Sequence, residues 1–287
     1  MPSNNHKHWN GDVASLLRVG PGFRLDRVDA EATPGYGRRK RDSIDDLVAG
    51  ADQLSELQER LFAASRAQAT DASVLLVLQA MDTAGKGGII RHVVGSVDPQ
   101  GVHLAAFKKP TDEELAHDFL WRVQARVPEP GMIGVFDRSH YEDVLIGKVR
   151  QLAPADEIER RYGAINDFES QLAEAGTRLV KVMLHVSYDE QRDRLMERLD
   201  RPDKHWKYNP GDVDERLLWP QYMDAYQTVF ERTSTPHAPW YVVPANRKWY
   251  ARLAVQALLL NALLDIDPRW PAATYDVAAE RERLLAT

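Results

Sequence analysis

Residues 79–88 read QAMDTAGKGG, at the end of one apolar run and the start of another. Consecutive backbone N–H groups in a glycine-rich turn make an anion nest, and a following helix N-terminus adds its dipole. Ala84, Gly85, Lys86, Gly87 and Gly88 are therefore candidate phosphate contacts, with the Lys86 ammonium set against a bridging or terminal phosphate. Two positions depart from the G-x-x-x-x-G-K-[ST] loop. Ala80 stands where the first glycine belongs, and Gly87 where the magnesium-binding hydroxyl belongs. Asp82 is the odd residue, because a carboxylate inside a phosphate nest is repelled unless a cation intervenes. It is a reasonable magnesium ligand, direct or through water. Two plainer readings stay open: a surface turn with a chance lysine, and an Asp82 that only bonds its own backbone.

A second group sits at FDRSHYED, residues 136–143. A carboxylate ending an apolar strand holds magnesium beside a phosphate loop in the Walker B arrangement, which makes Asp137 a metal candidate. Arg138 next to it can neutralise phosphate charge in the transition state. Glu142 and Asp143 are read as residues that favour a helix dipole. A third group is Arg198, Arg201, Lys204 and Lys207, at intervals of three around the helix-breaking Pro202. Such cations suit a mobile lid over a polyphosphate chain; a solvated charged turn is the alternative. Lys108, Lys109 and Arg122 are weaker anion candidates. His185 is read as structural.

These residues need a frame that brings them to one edge. Strand candidates are 73–78, 103–107, 132–136, 178–184 and 240–243, most of them apolar runs without polar alternation, as in strands buried on both faces. Helical patterns fall between them. Residues 44–62 carry apolar positions at steps of three and four. Thr111 to Glu114 forms a capping box opening a helix with Leu115, Phe119 and Val123. Further helices are expected at 156–175, 189–199, 213–231 and 247–264. The alternation predicts an α/β fold, a three-layer α/β/α arrangement around a parallel sheet of about five strands. Ligands of such a sheet bind outside the carboxyl ends of its strands. Residues 1–43, rich in Gly, Pro and charge, are expected to form an arm, and 44–287 a single domain including a helical lid at about 198–215.

The 287-residue chain has no cysteine, which excludes disulfides and thiolate metal sites. No apolar stretch reaches the roughly 18–20 residues of a membrane span, and the first dozen residues lack the apolar core of a secretion signal. A cytoplasmic protein without a membrane or nucleic-acid partner is expected. The net charge of −6 weakly opposes nucleic-acid binding, although only the local field matters for a phosphate ligand.

Taken together, the chain resembles the polyphosphate kinase 2 family. QAMDTAGKGG (79–88), FKKPTDEELAHDFLWR (107–122), FDRSHYEDVL (136–145), RLDRPDKHWKYNPGD (198–212) and APWYVVPANRKWY (238–250) carry the resemblance. It implies a P-loop kinase core with a helical lid, transferring phosphoryl groups between inorganic polyphosphate and a nucleoside mono- or diphosphate. Magnesium is the implied cofactor, with manganese as a substitute. The HDFLWR and SHYEDVL wording is most similar to the single-domain branch acting on AMP and ADP. The resemblance implies that Gly85, Lys86, Gly87 and Gly88 hold phosphate, and that Asp82 and Asp137 organise magnesium. It gives Arg138 the transferred group and places Lys204 and Lys207 in the lid. Members of that branch often have F-N-R-S where this chain has Asp137, and G-K-D-G where it has G-K-G-G; both differences bear on the acceptor. Homodimers or homotetramers are implied. The competing readings are an ATP-dependent nucleotide kinase on the same core and a non-catalytic polyphosphate- or nucleotide-binding protein.

Overall fold

The computed structural model describes residues 8–287; the first seven residues of the expected arm lie outside the described residues. The sequence runs through α1 (Val13–Leu17), α2 (Ser43–Arg66), β1 (Ser73–Gln79), α3 (Lys86–His92), β2 (Val102–Ala106), α4 (Asp112–Leu115), α5 (Trp121–Gln124) and β3 (Ile133–Asp137). It continues through α6 (Ile146–Val149), α7 (Ala155–Glu174), β4 (Thr177–His185), α8 (Tyr188–Asp200), α9 (Gly211–Arg216), α10 (Trp219–Thr233), β5 (Trp240–Pro244), α11 (Lys248–Ile266) and α12 (Val277–Leu285).

The strands form one sheet in the order β2-β3-β1-β4-β5, every pair parallel. β1 lies at the centre and is buried along its whole length, which is why SVLLVLQ shows no polar alternation. β2, at an edge, is partly exposed. Chain connections leave β1 toward β2 and β3 on one side and β4 on the other. The carboxyl ends of β1 and β3 therefore border the crevice where such sheets bind ligands. Register places Leu78 opposite Asp137, so the residues after both strands emerge side by side. No helix among the described residues is long and apolar enough to cross a membrane.

Two expected helices are broken. The segment with Leu115, Phe119 and Val123 is split into α4 and α5. Asp118 competes for backbone donors there, its side chain accepting from Leu120 N–H (3.0 Å) and its carbonyl from Trp121 N–H (2.9 Å). Residues 213–231 divide into α9 and α10, with Pro220 in the first turn of α10, where a missing N–H costs nothing. The arm is not loose over its described length. Val19 N–H donates to Trp240 O at 2.8 Å beside β5, and Tyr36 Oη donates to Asp46 at 2.7 Å. In the basic run at 38–41, Arg38 pairs with Asp46.

Candidate phosphoryl-transfer site

The loop between β1 and α3 takes a left-handed turn at Thr83 (φ 66°) and another at Gly85 (φ 123°). Only glycine reaches the second without strain. Residue 80 has no positive φ, so Ala80 serves where the usual motif has glycine. Among the described residues, the backbone N–H groups of Gly85, Lys86 and Gly87 find no acceptor. A Cβ added at Gly85 or Gly87 would meet no atom within 4 Å. The nest is thus open on its outer side. Ala84 and Gly88 are different: their N–H groups already donate to Met81 O (3.3 Å) and Gly85 O (2.8 Å). Of the loop residues expected to bind phosphate, these two have no backbone donor to give. Lys86 Nζ rests 3.4 Å from Ala80 O.

Across the crevice, Arg138 has a left-handed backbone (φ 63°), uncommon for a residue with a side chain and typical of functional turns. Its N–H donates to Leu78 O at 3.0 Å. The turn directs the guanidinium back over the loop, where Nη2 donates to Asp82 Oδ1 at 2.9 Å and Nη1 lies 3.7 Å from Glu142. Burial by itself would lower the Arg138 pKa; Glu142, Asp82 and Asp137 outweigh it and hold the group above its ordinary value. Asp82 is therefore partnered by Arg138. The Asp137 carboxylate makes no hydrogen bond or ion pair among the described residues.

Glu142 is part of this site, which a helix-dipole role does not account for. It belongs to a 3-10 turn (His140–Asp143) and faces inward. Gln79 is fully buried at the end of β1; with its amide assigned to the orientation that satisfies both neighbours, Nε2 donates to Glu142 Oε1 at 2.9 Å and the amide oxygen accepts from Ser139 N–H at 3.2 Å. Burial pushes the Glu142 pKa up, against the pull of Arg138 and Lys86. A cavity of about 230 Å³ is lined by Asp82, Arg138, Glu142, Leu145, Asp212 and Tyr222, among others. A larger depression of about 740 Å³ between the arm and α10 shares no residue with the phosphate loop.

The expected lid segment brings one acid to the cavity and keeps most of its cations elsewhere. Asp212 is buried and accepts from Arg198 Nη1 at 3.2 Å. Burial, and then Asp82, pushes its carboxyl up to about 6. Arg201 pairs with Glu197 at 3.1 Å and Asp203 at 3.0 Å. Lys204 lies 3.9 Å from Asp203, and Lys207 sits over the exposed Trp206 ring. None of these three lines the cavity in this arrangement. Arg122 is buried rather than displayed: it donates to Lys108 O at 2.9 Å and to Asp143 at 3.4 Å, tying the loop after β2 to the turn after β3. Lys108 is exposed at the same edge.

Three comparisons bear on this geometry. The polyphosphate kinase 2 family model matches residues 44–270. The chain belongs to that family. It is 44% identical over 249 residues to the AMP/ADP-polyphosphate phosphotransferase of Meiothermus ruber, covering 87% of this chain and 91% of that protein. It is 40% identical over 283 residues to the ADP-polyphosphate phosphotransferase of Rhodopseudomonas palustris, covering 94% and 95%. The crystal structure of polyphosphate kinase 2 from Arthrobacter aurescens TC1 superposes with a TM-score of 0.95 at 59% identity, over 97% of this chain and 98% of that one. The family's parallel α/β core is thus the frame of the site.

Several residues that shape the site gave no signal in the sequence. Arg194 on α8 is buried and donates to Thr83 O (3.0 Å) and Ala84 O (2.9 Å) from Nη1, and to Ala245 O (2.6 Å) and Asn246 O (2.9 Å) from Nη2. It staples the phosphate loop to the end of β5. Gln191, one turn earlier, donates to Asp82 O at 3.1 Å. On the far side of the turn after β3, the fully buried Lys181 donates to Glu169 (2.6 Å), Tyr141 Oη (2.9 Å) and Thr233 O (2.8 Å). Glu169 also accepts from Tyr141 Oη at 2.8 Å and lies 3.2 Å from His140 Nε2. Burial would raise the Glu169 pKa, but Lys181 and His140 hold it below its ordinary value. This network anchors the turn carrying Arg138 and Glu142. His185 ends β4, where burial depresses its basicity.

Proposed function

We propose that the protein transfers the terminal phosphoryl group of inorganic polyphosphate to a nucleoside mono- or diphosphate, reversibly, converting AMP to ADP and ADP to ATP. The observation that carries this reading is the open row of N–H groups at Gly85, Lys86 and Gly87, faced by Arg138, in a chain of this family. The acceptor is a phosphate whose second ionisation lies near pH 6, by analogy with phosphorylated side chains, so it is largely ionised at neutral pH. A strong general base is unnecessary. The work left to the protein is to hold two polyanions in line and offset their charge.

In this reading the open nest and Lys86 grip the phosphate chain of the donor. Arg138 leaves part of its Asp82 contact to meet the group in transfer. Lys204, Lys207 and Arg201 belong to a segment that closes over a bound chain and keeps water from the reacting phosphate. Lys108 supplies charge at the rim. The donor set fits a magnesium ion, or manganese in its place: Asp137 is unpartnered, Asp82 keeps one carboxylate oxygen uncommitted, and substrate phosphates complete the shell in such sites. Among the described residues there is no group of three or more acids and histidines to cage a metal, which suits an ion held by one or two carboxylates and its substrate. When bound, the ion neutralises phosphate oxygens and orients them for displacement. A cytoplasmic setting accords with these substrates.

The deciding experiment supplies AMP, ADP, GMP and GDP separately with long-chain polyphosphate and magnesium, without ATP, and follows the products chromatographically. The expected outcome is the next higher phosphate of each accepted nucleotide. No product with polyphosphate, but transfer from ATP, would replace this reading with an ATP-dependent nucleotide kinase.

A further inference from the structure

The C-terminal segment leaves large apolar side chains uncovered. Every residue from Arg269 to Thr287 is exposed, including the large apolar side chains Trp270, Tyr275, Val277, Leu284 and Leu285. Leu284 and Leu285 are 74% and 75% exposed. Yet α12 is a regular helix of nine residues, capped by Asp276, whose side chain accepts from Ala278 and Ala279 N–H. Helices shorter than about 12–15 residues are marginal in water on their own. This helix therefore needs a surface to lie on. Val277, Arg281, Leu284 and Leu285 fall at i, i+4, i+7 and i+8, on one face.

A matching surface exists on α2. One face of that helix packs inward through Leu54, Leu57 and Leu61. The opposite face shows Ile44, Val48, Asp52 and Glu56, successive residues four apart and all exposed. Ile44 and Val48 are 69% and 59% exposed. Laid antiparallel, the two faces correspond. Leu284 and Leu285 meet Ile44 and Val48, and one turn on, Arg281 meets Asp52. Neither Arg281 nor Asp52 has an ion-pair partner among the described residues. Within one molecule the two faces do not meet, since both are exposed. From residue 269 onward the charges of the segment balance, three arginines against Asp276, Glu280 and Glu282, which disfavours an anionic membrane as the surface.

We propose that residues 269–287 form an exchanged arm, whose α12 docks on the α2 face of a second copy of this chain, reciprocally about a two-fold axis. Reciprocal exchange uses both patches of each copy and closes the assembly. The proposal does not depend on the nucleotide or the phosphate donor.

The chain has no cysteine, so introduced thiols report without background. In the Val48→Cys/Leu284→Cys variant, mild oxidation should give a covalent dimer on a non-reducing denaturing gel, with neither single variant cross-linking appreciably. A cross-link from Leu284→Cys alone would mean arm-to-arm pairing and overturn the docking. A monomer of altered mobility would mean docking within one chain and overturn it equally. Sedimentation of the native enzyme should show a dimer or a multiple of it at micromolar concentration; a monomer would refute the exchange. Arg281→Asp should weaken that dimer several-fold, and Asp52→Arg in the same chain should restore it. Loss without restoration would dismiss the α2 face as the partner.

Discussion

Two clusters of charge flank the turn at residues 138–143, and they are built differently. On the buried side, Lys181, Glu169, His140 and Tyr141 answer one another. All are fully buried, and the ammonium of Lys181 has three acceptors within 2.9 Å. On the crevice side, Arg138 faces Asp82, Glu142 and Asp137, the last of which has no hydrogen bond among the described residues. Three N–H groups of the loop also go unanswered there. In the first cluster every charge is answered without a ligand, as a structural ionic network requires once water is excluded, and His140 Nδ1 is its one atom without a partner among the described residues. The second leaves the Asp137 carboxylate and the Gly85, Lys86 and Gly87 N–H groups without partners among the described residues. Titratable groups in both are perturbed, so perturbation does not separate them; the difference is the row of open backbone donors and the unpaired acid on the crevice side.

This contrast predicts opposite responses to mutation. Lys181→Met should have the largest effect, a loss of about 3–5 kcal/mol of stability, because Glu169 would be left as an uncompensated buried charge. Denaturant midpoints measure it, and adding Glu169→Gln should return part of the loss. A Lys181→Met variant as stable as the parent would remove the structural half of the comparison. Next, Lys86→Ala and Asp137→Ala should each lower kcat by at least ~10²-fold, the typical cost of deleting one electrostatic stabiliser, with little change in unfolding midpoint. Near-normal turnover in either folded variant would remove the functional half.

The third effect is smaller and depends on pH. Asp212 is pushed up to about 6 from an ordinary 3.8, by burial and then by Asp82. A carboxyl raised in the folded state contributes stability that is present below its unfolded pKa and lost as pH rises through the folded one. Asp212→Asn removes that loss. Its melting temperature should exceed the parent's by ~2–4 °C above about pH 7, with no such gain near pH 4. Thermal melts in the absence of ligand at the two pH values would check this, and a uniform shift would contradict it. The smallest effect belongs to Arg201→Ala. Its ion pairs with Glu197 and Asp203 are half exposed, so stability should change by under ~1 kcal/mol. A measurable rise in KM for polyphosphate, without a matching stability loss, would locate Arg201 in the closing segment.

The sequence by itself determined much of the frame and the chemical type of the site. Apolar runs without alternation mark strands buried on both faces, so β1, β3, β4 and β5 could be read directly from residues such as Val74 to Leu78. Glycine at 85, beside Lys86, marks a turn that takes a positive φ, and Asp137 stands at the end of its strand by simple count. These are local properties, carried by neighbouring residues. The tertiary structure alone decided which charges are spoken for. Arg122 and Lys108 look alike as basic residues near the same loop, but one is buried among acceptors and the other exposed. Glu142, read from its position as a helix-dipole residue, lines the cavity beside Arg138 and Asp82, which lie outside its own turn. Arg194 reaches Thr83 and Ala84 from a helix more than a hundred residues away. Periodicity cannot reveal such contacts, since they depend on how the sheet brings distant segments to one edge. The break at Asp118 has the same character in miniature: the capping box at Thr111 was legible, but the competition between a side chain and the backbone was settled only where Phe119 found its place in the core.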